Sequence, residues 1–202
     1  MTVVFLNGCT SAGKTSVARA LQEILDPAHV RTGIDDAFAM LPLKLHNHPD
    51  GFFFDTDPRG EIRLNHGVVG LAVLKAHARM AAALADVSAG VILDEVVLEE
   101  ELRDDWREAL ARCDVFRVGV HCALPELERR EVERGDRLIG QARGQFDLVH
   151  VGMSYDLEVD TTSATPAEVA AQIVDNYQRW RVNLAFSATP SAGIRTPLHR
   201  AD

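Results

Sequence analysis

Short apolar runs alternate with longer stretches of helical periodicity along this chain. The first run, Thr2–Leu6, is β-branched and aromatic, and apolar positions such as Val17 and Leu21 then recur at helical spacing. Because strands that alternate with helices form parallel sheets covered on both faces, the pattern predicts an α/β fold with a doubly wound parallel sheet. The predicted strands are Thr2–Leu6, His29–Thr32, Gly90–Asp94, Val115–Val120 and Leu157–Val159, and the predicted helices are Thr15–Leu25, Ala37–Leu41, Val68–Leu84, Leu98–Ala111, Pro125–Arg134 and Thr165–Trp180.

Two segments depart from this alternation. Between Leu43 and Leu64 the pattern loosens, and Phe52–Phe54 and Glu61–Leu64 flank a turn-rich stretch, which predicts a small β-hairpin insertion able to line a substrate pocket. Beyond Trp180 the chain becomes rich in Ser, Pro, Thr, Gly and Arg without periodicity. We therefore expect one domain over residues 1–180 and a flexible C-terminal tail over residues 181–202.

Composition and charge exclude several classes of protein. Apolar residues make up 47% of the 202 residues and charged residues 25%, which is typical of a globular chain. The net charge of −9 disfavours nonspecific binding to nucleic acid or to an anionic membrane. The stretch Met80–Ala85 is short for a membrane span, and the three cysteines have neither CxxC spacing nor an even number. We expect a cytoplasmic protein, and the oligomeric state stays open.

The segment Gly8–Thr15 matches the phosphate-binding pattern GxxxxGK[ST] completely. It lies between a predicted strand and a predicted helix, which is the structural context that the motif requires. Its glycines let backbone N–H groups surround phosphate oxygens, Lys14 reaches the β- and γ-phosphates, and the Thr15 hydroxyl can bind Mg²⁺. The predicted nucleotide-binding residues are Gly8, Cys9, Thr10, Ser11, Ala12, Gly13, Lys14 and Thr15. The Cys9 side chain is expected to pack away from the ligand.

Acidic residues follow two predicted strands. Asp94 ends an apolar strand and is a candidate magnesium ligand, although apolar runs followed by Asp are also common at ordinary strand ends. Its neighbour Glu95 could face the substrate instead. Asp35 and Asp36 follow the second strand, on the side where ligands bind in parallel sheets. We expect Asp35 to act as a general base toward an alcohol and Asp36 to cap the next helix, the alternative being that both acids are caps.

Arginines cluster around Gly135 and Gly140. A charged, solvated helix accounts for Arg129 and Arg130. The pair Arg134 and Arg137 brackets a glycine, which favours a mobile lid that closes over a triphosphate and neutralises the charge of the transferring group.

In combination, these motifs resemble the chloramphenicol phosphotransferase family over about Val3 to Tyr177. The resemblance implies a fold similar to shikimate and adenylate kinases and transfer of the ATP γ-phosphate to the 3-hydroxyl of the drug. It also implies that Asp35 is the catalytic base, that Lys14 and Thr15 bind phosphate and magnesium, and that Arg134 and Arg137 are lid residues. The matching segments are Gly8–Thr15, Gly33–Asp35, Met40–Lys44, Val91–Glu95, Arg134–Arg137 and Tyr155–Thr162.

Three positions depart from the family pattern. Glu95 replaces a second Asp, Cys9 replaces a small loop residue, and Gly144 stands where the family pattern has a Lys. The resemblance therefore supports the type of reaction more strongly than it supports the identity of the substrate.

The sequence thus predicts an enzyme, an ATP- and Mg²⁺-dependent O-phosphotransferase for a small hydroxylated molecule, with chloramphenicol or an analogue as the first candidate. A nucleoside, sugar or other metabolite kinase of the same fold is an alternative. A GTPase is disfavoured because the guanine-binding pattern NKxD does not occur. A nucleotide-responsive binding module without turnover is a third hypothesis, which the presence of Asp35 and of the lid arginines disfavours.

Overall fold

The computed structural model describes residues 1–135 and 138–188. Helices and strands alternate through this part of the chain, with one antiparallel pair inserted between the second and third helices. The strands are β1 (Thr2–Asn7), β2 (Val30–Gly33), β3 (Phe52–Thr56), β4 (Ile62–His66), β5 (Val91–Glu95), β6 (Asp114–His121) and β7 (Leu157–Asp160). The helices are α1 (Lys14–Ile24), α2 (Ile34–Ala39), α3 (Val68–Val87), α4 (Glu100–Ala109), α5 (Leu124–Arg134), α6 (Gln141–Phe146) and α7 (Pro166–Ala188), and a 3₁₀ turn spans Leu43–Leu45.

Five strands form one parallel sheet in the order β2-β5-β1-β6-β7. In its central strand, Leu6 pairs with Asp94 of β5 and with Val118 of β6, so the carboxyl ends of these strands lie level. Ligands of open α/β sheets bind beyond that edge. The doubly wound parallel sheet predicted from the sequence is confirmed.

Helices cover both faces of the sheet because neighbouring residues of a strand point to opposite sides. Val4 and Leu6 of β1 belong to a buried cluster with α1, α5 and α7, in which Tyr177 is one of the largest buried side chains. Val3 and Phe5 belong to a second cluster with α3 and α4, where Trp106 packs edge-on against Phe5 at 5.2 Å between ring centroids. The core therefore lies in two layers, one on each side of β1.

Helix α3 is long and apolar enough, by length and composition alone, to cross a membrane, and 28% of its apolar window is buried inside the fold. The sequence expectation rested on the shorter stretch Met80–Ala85 and did not anticipate this. The buried residues of α3 include Ala78 and Ala81, which belong to the second core cluster. Helix α3 is the one helix of this kind in residues 1–135 and 138–188, and one alone is weak evidence for a membrane span, because core helices of soluble proteins can have the same length and composition.

The predicted secondary structure was wrong in the segments before and after β7. The stretch Gly135–Gly144 contains the start of helix α6, which two glycines hid from the periodicity. Helix α7 was predicted to end near Trp180, with residues 181–202 as a tail, but it continues to Ala188. No Gly or Pro interrupts the chain between these two residues, so nothing ends the helix there. The rest of the predicted tail, residues 189–202, lies outside the described residues.

The hairpin insertion is confirmed. Strands β3 and β4 pair antiparallel with Phe54 opposite Leu64. The hairpin contacts α6, because the backbone N–H of Ile62 donates to the carbonyl oxygen of Gly140 at 3.1 Å. An ideal Cβ on Gly144 would lie 2.3 Å from the carbonyl oxygen of Ile62. Only glycine allows this approach of α6 to the hairpin, which gives a physical reason for the residue found at this position.

Candidate active site

The loop between β1 and α1 has the geometry of an anion-binding turn. Ser11 and Gly13 both have left-handed backbone conformations, with φ of 60° and 81°. Helix α1 begins at Lys14, so its unpaired N–H groups and the positive end of its dipole face the loop. The Ser11 hydroxyl is buried and makes no hydrogen bond with any residue in the described part of the chain. A phosphate oxygen would satisfy these donors.

Lys14 is folded back against this loop. Its ammonium donates to the carbonyl oxygen of Cys9 at 2.8 Å, and the side chain is 6% exposed. Burial lowers the pKa of Lys14, while the negative charges of Asp94 and Asp35 oppose that shift. Both carboxylates therefore lie within electrostatic range of this ammonium group.

Thr15 and Asp94 form a direct contact between α1 and the end of β5. The Thr15 hydroxyl donates to Oδ2 of Asp94 at 2.5 Å. Asp94 is 7% exposed and stands at the carboxyl end of a strand adjacent to β1, which explains why residues so distant in sequence meet. A hydroxyl and a carboxylate are the hard oxygen ligands that Mg²⁺ prefers, so this pair fits the ion.

Asp35 and Asp36 open helix α2, which starts at Ile34 and not at Ala37 as predicted. Oδ2 of Asp36 accepts the backbone N–H of Gly33 at 2.9 Å and the hydroxyl of Thr32 at 3.1 Å. Asp36 therefore caps the helix, as predicted, but from within its first turn. This capping leaves Asp35, the preceding residue, on the wall of the cleft described next.

A cleft of about 670 Å³ joins these groups at the carboxyl end of the sheet. It contains Lys14, Thr15 and Asp94 together with Asp35. Phe54 and Leu64 of the hairpin also line it, as the sequence predicts for this insertion. The remaining lining residues are Thr10, Ser11, Gly13, Ser16, Arg19, Arg31, Gly33, Ile34, Asp36, Phe38, Val96, Leu98, Arg130, Glu133, Arg134, Gln141 and Gln145.

Three of the predicted nucleotide-binding residues do not line the cleft. Cys9 and Ala12 are buried in the first core cluster, and burial raises the pKa of the Cys9 thiol to about 11. An ideal Cβ on Gly8 would lie 2.3 Å from the carbonyl oxygen of Val120, so the chain needs glycine there for packing. These residues shape the loop, and the predicted packing of Cys9 away from the cleft is confirmed.

The predicted lid arginines have different outcomes. Arg134 is the last residue of α5 and lines the cleft. Gly135, in a left-handed conformation at φ 67°, ends the helix directly after it. Arg137 lies outside the described residues.

Arg130 was wrongly interpreted as part of a solvated helix face. It lines the cleft, and its Nη1 lies 3.6 Å from where a Cβ of Gly13 would be. Glu126 accepts from its Nε at 2.7 Å, and the carbonyl oxygen of Thr161 accepts from its Nη2 at 2.6 Å. The sequence signal was present, since Glu126 stands one helical turn before Arg130, but only the fold brings Thr161 beside it.

Two buried polar residues beside the cleft were missed. The side chain of Gln145 accepts the backbone N–H of Thr10 at 2.7 Å and so joins α6 to the phosphate-binding loop. Glu131 of α5, 1% exposed, accepts the N–H groups of Gly140 and Ala142 at 2.7 and 2.9 Å. These contacts fasten α6 to both neighbours and could not be inferred without the helix itself.

Glu95 does not line the cleft, so the hypothesis that it faces substrate is not supported. Its side chain turns to the opposite face of the sheet, where Oε1 lies 3.6 Å from Nδ1 of His77. Burial first, and then the charge of Asp94, hold the pKa of Glu95 well above its usual range.

The parallel sheet, the phosphate-binding loop after its central strand and the acid-lined cleft define a P-loop kinase. Two kinases are among the solved structures that share the fold. An adenosine phosphosulfate (APS) kinase of Mycobacterium tuberculosis, in complex with AMPPNP and APS, matches with a TM-score of 0.63 at 18% identity over 88% of this chain and 97% of that one. A gluconokinase of Sinorhizobium meliloti matches with a TM-score of 0.62 at 17% identity over 93% and 98%.

The chain belongs to the chloramphenicol phosphotransferase-like family, whose model matches residues 1–178. A relative from Mycobacterium tuberculosis strain H37Rv bears the name "Putative O-phosphotransferase Rv2636". It is 32% identical over 193 residues, which cover 92% of this chain and 86% of the relative. The family resemblance inferred from the sequence is confirmed.

Proposed function

We propose that this protein transfers the γ-phosphate of ATP to a hydroxyl group of a small molecule. One observation carries the proposal: the cleft that holds the phosphate-binding loop and Lys14 also holds Asp35, a carboxylate that the nucleotide does not require. ATP binding alone would explain the loop, whereas a carboxylate beside the γ-phosphate position is what an alcohol acceptor needs.

At the nucleotide end, the N-terminus of α1 and the Lys14 ammonium bind the β- and γ-phosphates. The buried Ser11 hydroxyl, which lacks a partner among the described residues, supplies a further donor. Thr15 and Asp94 would hold Mg²⁺, since their side-chain oxygens are adjacent, 2.5 Å apart, at the edge of the phosphate-binding loop. When bound, Mg²⁺ neutralises charge on the phosphate oxygens.

At the acceptor end, Asp35 accepts the proton of the acceptor hydroxyl as its oxygen forms a bond to the γ-phosphorus. The bond between that phosphorus and the β,γ-bridging oxygen breaks, and ADP leaves with the electron pair. Phe38, Phe54 and Leu64 give this end of the cleft an apolar wall, which suits an acceptor with an apolar or aromatic part.

Arg134 and Arg130 supply positive charge on the α5 side of the cleft. We propose that Arg134, with Arg137, stabilises the charge of the transferring phosphoryl group. Arg130 is fixed by Glu126 and Thr161 and lies over the phosphate-binding loop, which supports a role in holding the nucleotide.

The test compares two neighbouring carboxylates. ADP formation is followed in a coupled assay, and phosphorylated product by mass spectrometry, with amphenicols first because of the family, then nucleosides, sugars and hydroxy acids. We expect Asp35→Asn to lower transfer about a hundred- to ten-thousandfold, as for loss of a general base, with ATP affinity by calorimetry almost unchanged.

The matched control is Asp36→Asn. It should remain active and lose about 1 kcal/mol of stability, because it weakens a helix cap. If Asp36→Asn were inactive while Asp35→Asn turned over normally, the base would be misassigned. If ATP bound but the wild-type protein phosphorylated no acceptor in the panel, a nucleotide-responsive binding module would be the better description.

A further inference from the structure

Two arginines of the cleft have no role in the reaction described above. Arg19 lies on α1, four residues after Thr15, and Arg31 lies on β2, two residues before Gly33. Both line the cleft. Residues four apart on a helix, and residues two apart on a strand, point to the same side. Arg19 is therefore on the same face of α1 as Thr15, and Arg31 is on the same face of β2 as Gly33.

The register of the sheet and the packing of α1 place these arginines on the same side of the sheet. Arg31 pairs with Ile92, as Gly33 pairs with Asp94, so Arg31 is on the same face of the sheet as Asp94. Ile92 packs in the core cluster that includes α1, the helix that carries Arg19. Arg19 and Arg31 therefore flank the same edge of the layer between α1 and the sheet, beside the Thr15–Asp94 contact.

No ion pair joins Arg19 or Arg31 to any residue that the structure describes. Two acids of the cleft wall already have other hydrogen-bond partners. Asp36 accepts from Gly33 and Thr32, and Asp94 accepts from Thr15. Two guanidinium groups in one cleft thus retain donors suited to an oxyanion.

The position in the sheet argues that this charge serves the acceptor and not the nucleotide. Arg130, which lies over the phosphate-binding loop, is bonded to Thr161 after β7, at one edge of the sheet. Arg31 is on β2, at the opposite edge, and the strand leads directly into Asp35. A chain of net charge −9 also repels anions at long range, so an anionic acceptor needs local positive charge of this kind.

We propose that Arg19 and Arg31 form a subsite for a carboxylate or phosphate group of the acceptor, so that the preferred substrate is an anionic alcohol. The inference rests on the proposed phosphotransferase function and narrows it. It favours a metabolite kinase over an enzyme dedicated to uncharged amphenicols. The hydroxyl would face Asp35 while the anionic group pairs with the two guanidinium groups.

The first experiment measures binding and needs no turnover. Inorganic phosphate and acetate are titrated by calorimetry into protein saturated with Mg²⁺ and a nonhydrolysable ATP analogue. We expect both Arg19→Gln and Arg31→Gln to weaken oxyanion binding about tenfold or more, because each removes a charge-assisted contact. Affinity for the ATP analogue should stay unchanged. Arg112→Gln, an exposed position away from the cleft, is the matched control.

The second experiment uses matched acceptors. Glycerol, glycerate and glycerol 3-phosphate share one skeleton, and panthenol and pantothenate share a larger one with an apolar part. We expect the anionic member of a pair to have the higher kcat/KM, and Arg31→Gln to raise its KM about tenfold while leaving that of the neutral member unchanged. The carboxylate and phosphate arms distinguish the two kinds of anion.

Several outcomes would overturn the subsite. One is the absence of oxyanion binding by the wild-type protein, and another is equal binding by the Gln variants. Weaker binding of the ATP analogue by Arg19→Gln or Arg31→Gln would assign the arginines to the nucleotide, and a preference for neutral acceptors that Arg31→Gln left intact would also contradict the proposal. If Arg31→Gln failed to fold, the same binding and kinetic measurements would be made on Arg31→Lys. Failure of the proposed function looks different, because phosphate transfer would then be absent or insensitive to Asp35→Asn.

Discussion

The two ends of the cleft are built in different ways. The end proposed to bind the nucleotide is buried and closely bonded: Lys14 and Asp94 are 6% and 7% exposed, and each has a hydrogen-bond partner within 2.8 Å. The end proposed to bind the acceptor is open, with Asp35 exposed at the start of a six-residue helix and the half-buried Phe54 on a two-stranded hairpin.

This difference separates the part of the cleft that is common to P-loop kinases from the part that varies with the substrate. The phosphate-binding loop needs one segment of sequence and the end of one strand, and its ligand is the same in every such kinase. The acceptor end draws on β2, α2, the hairpin and the loop after β5, each of which can vary independently. The reaction class therefore follows from the nucleotide end, and the substrate follows from the acceptor end.

The largest effect is expected from the nucleotide end. Lys14→Ala removes a buried ammonium from the proposed position of the transferring phosphate, which should lower kcat by about a thousandfold, or about 4 kcal/mol of transition-state stabilisation. Phosphate transfer is measured by ADP release, and folding by circular dichroism. Lys75→Ala, on the surface of α3, is the control and should keep full activity. Turnover near the wild-type level in Lys14→Ala would contradict the assignment of the active site.

Arg134 tests whether the α5 side of the cleft serves the transition state. Arg134→Ala should lower kcat by about a hundredfold with little change in the KM of the acceptor, because its proposed role is to meet charge that develops during transfer. Arg129→Ala on the same helix is the matched control, since Arg129 is exposed and pairs with Glu126 and Glu133. A rise in acceptor KM at constant kcat would instead assign Arg134 to substrate binding.

How far the sequence could predict this molecule differs between the two ends. The sheet, the hairpin and Lys14, Thr15 and Asp94 follow from patterns of fewer than ten adjacent residues and from the rule that parallel strands end at one edge. Arg130 and Gln145 were missed because their partners, Thr161 and Thr10, come from distant segments that only packing brings close. Local pattern carries no information on such contacts.

Gly144 tests the contact between the hairpin and α6. An ordinary Gly→Ala change in a helix stabilises it by about 0.5–1 kcal/mol. In Gly144→Ala, the new methyl group would lie 2.3 Å from the carbonyl oxygen of Ile62. We therefore expect this variant to lose about 1–3 kcal/mol of folding stability from overpacking. The measurement is the melting temperature of the variant, which should fall below that of the wild-type protein. Because the hairpin lines the acceptor end, KM for the acceptor should rise more than KM for ATP, and a raised melting temperature would show that the contact is absent in solution.

The smallest effect concerns a polar network beneath the nucleotide end. The amide of Asn7, the residue before the phosphate-binding loop, donates to the hydroxyl of Tyr155 at 2.8 Å, and that hydroxyl lies 2.7 Å from Nδ1 of His150. With its proton on Nε2, the neutral His150 ring accepts the hydroxyl hydrogen at Nδ1. Protonation of His150 would remove this acceptor. Burial, and then the neighbouring His121, lower the pKa of His150 to about 4, against an ordinary value of 6.5.

The sign of the pH dependence follows from these values. Between pH 6.5 and 4 the unfolded chain binds a proton at His150 that the folded protein does not, so the stability from this residue is complete above pH 6.5 and is lost as the pH falls toward 4. Because the ring is partly exposed, we expect a loss of about 1–2 kcal/mol, less than full linkage would give. Urea unfolding of wild type and of His150→Gln at pH 7.5, 6, 5 and 4 measures it. The difference in stability between the two proteins should shrink toward acid pH, whereas a constant difference would mean that His150 titrates alike in both states and that the network does not depend on its neutral form.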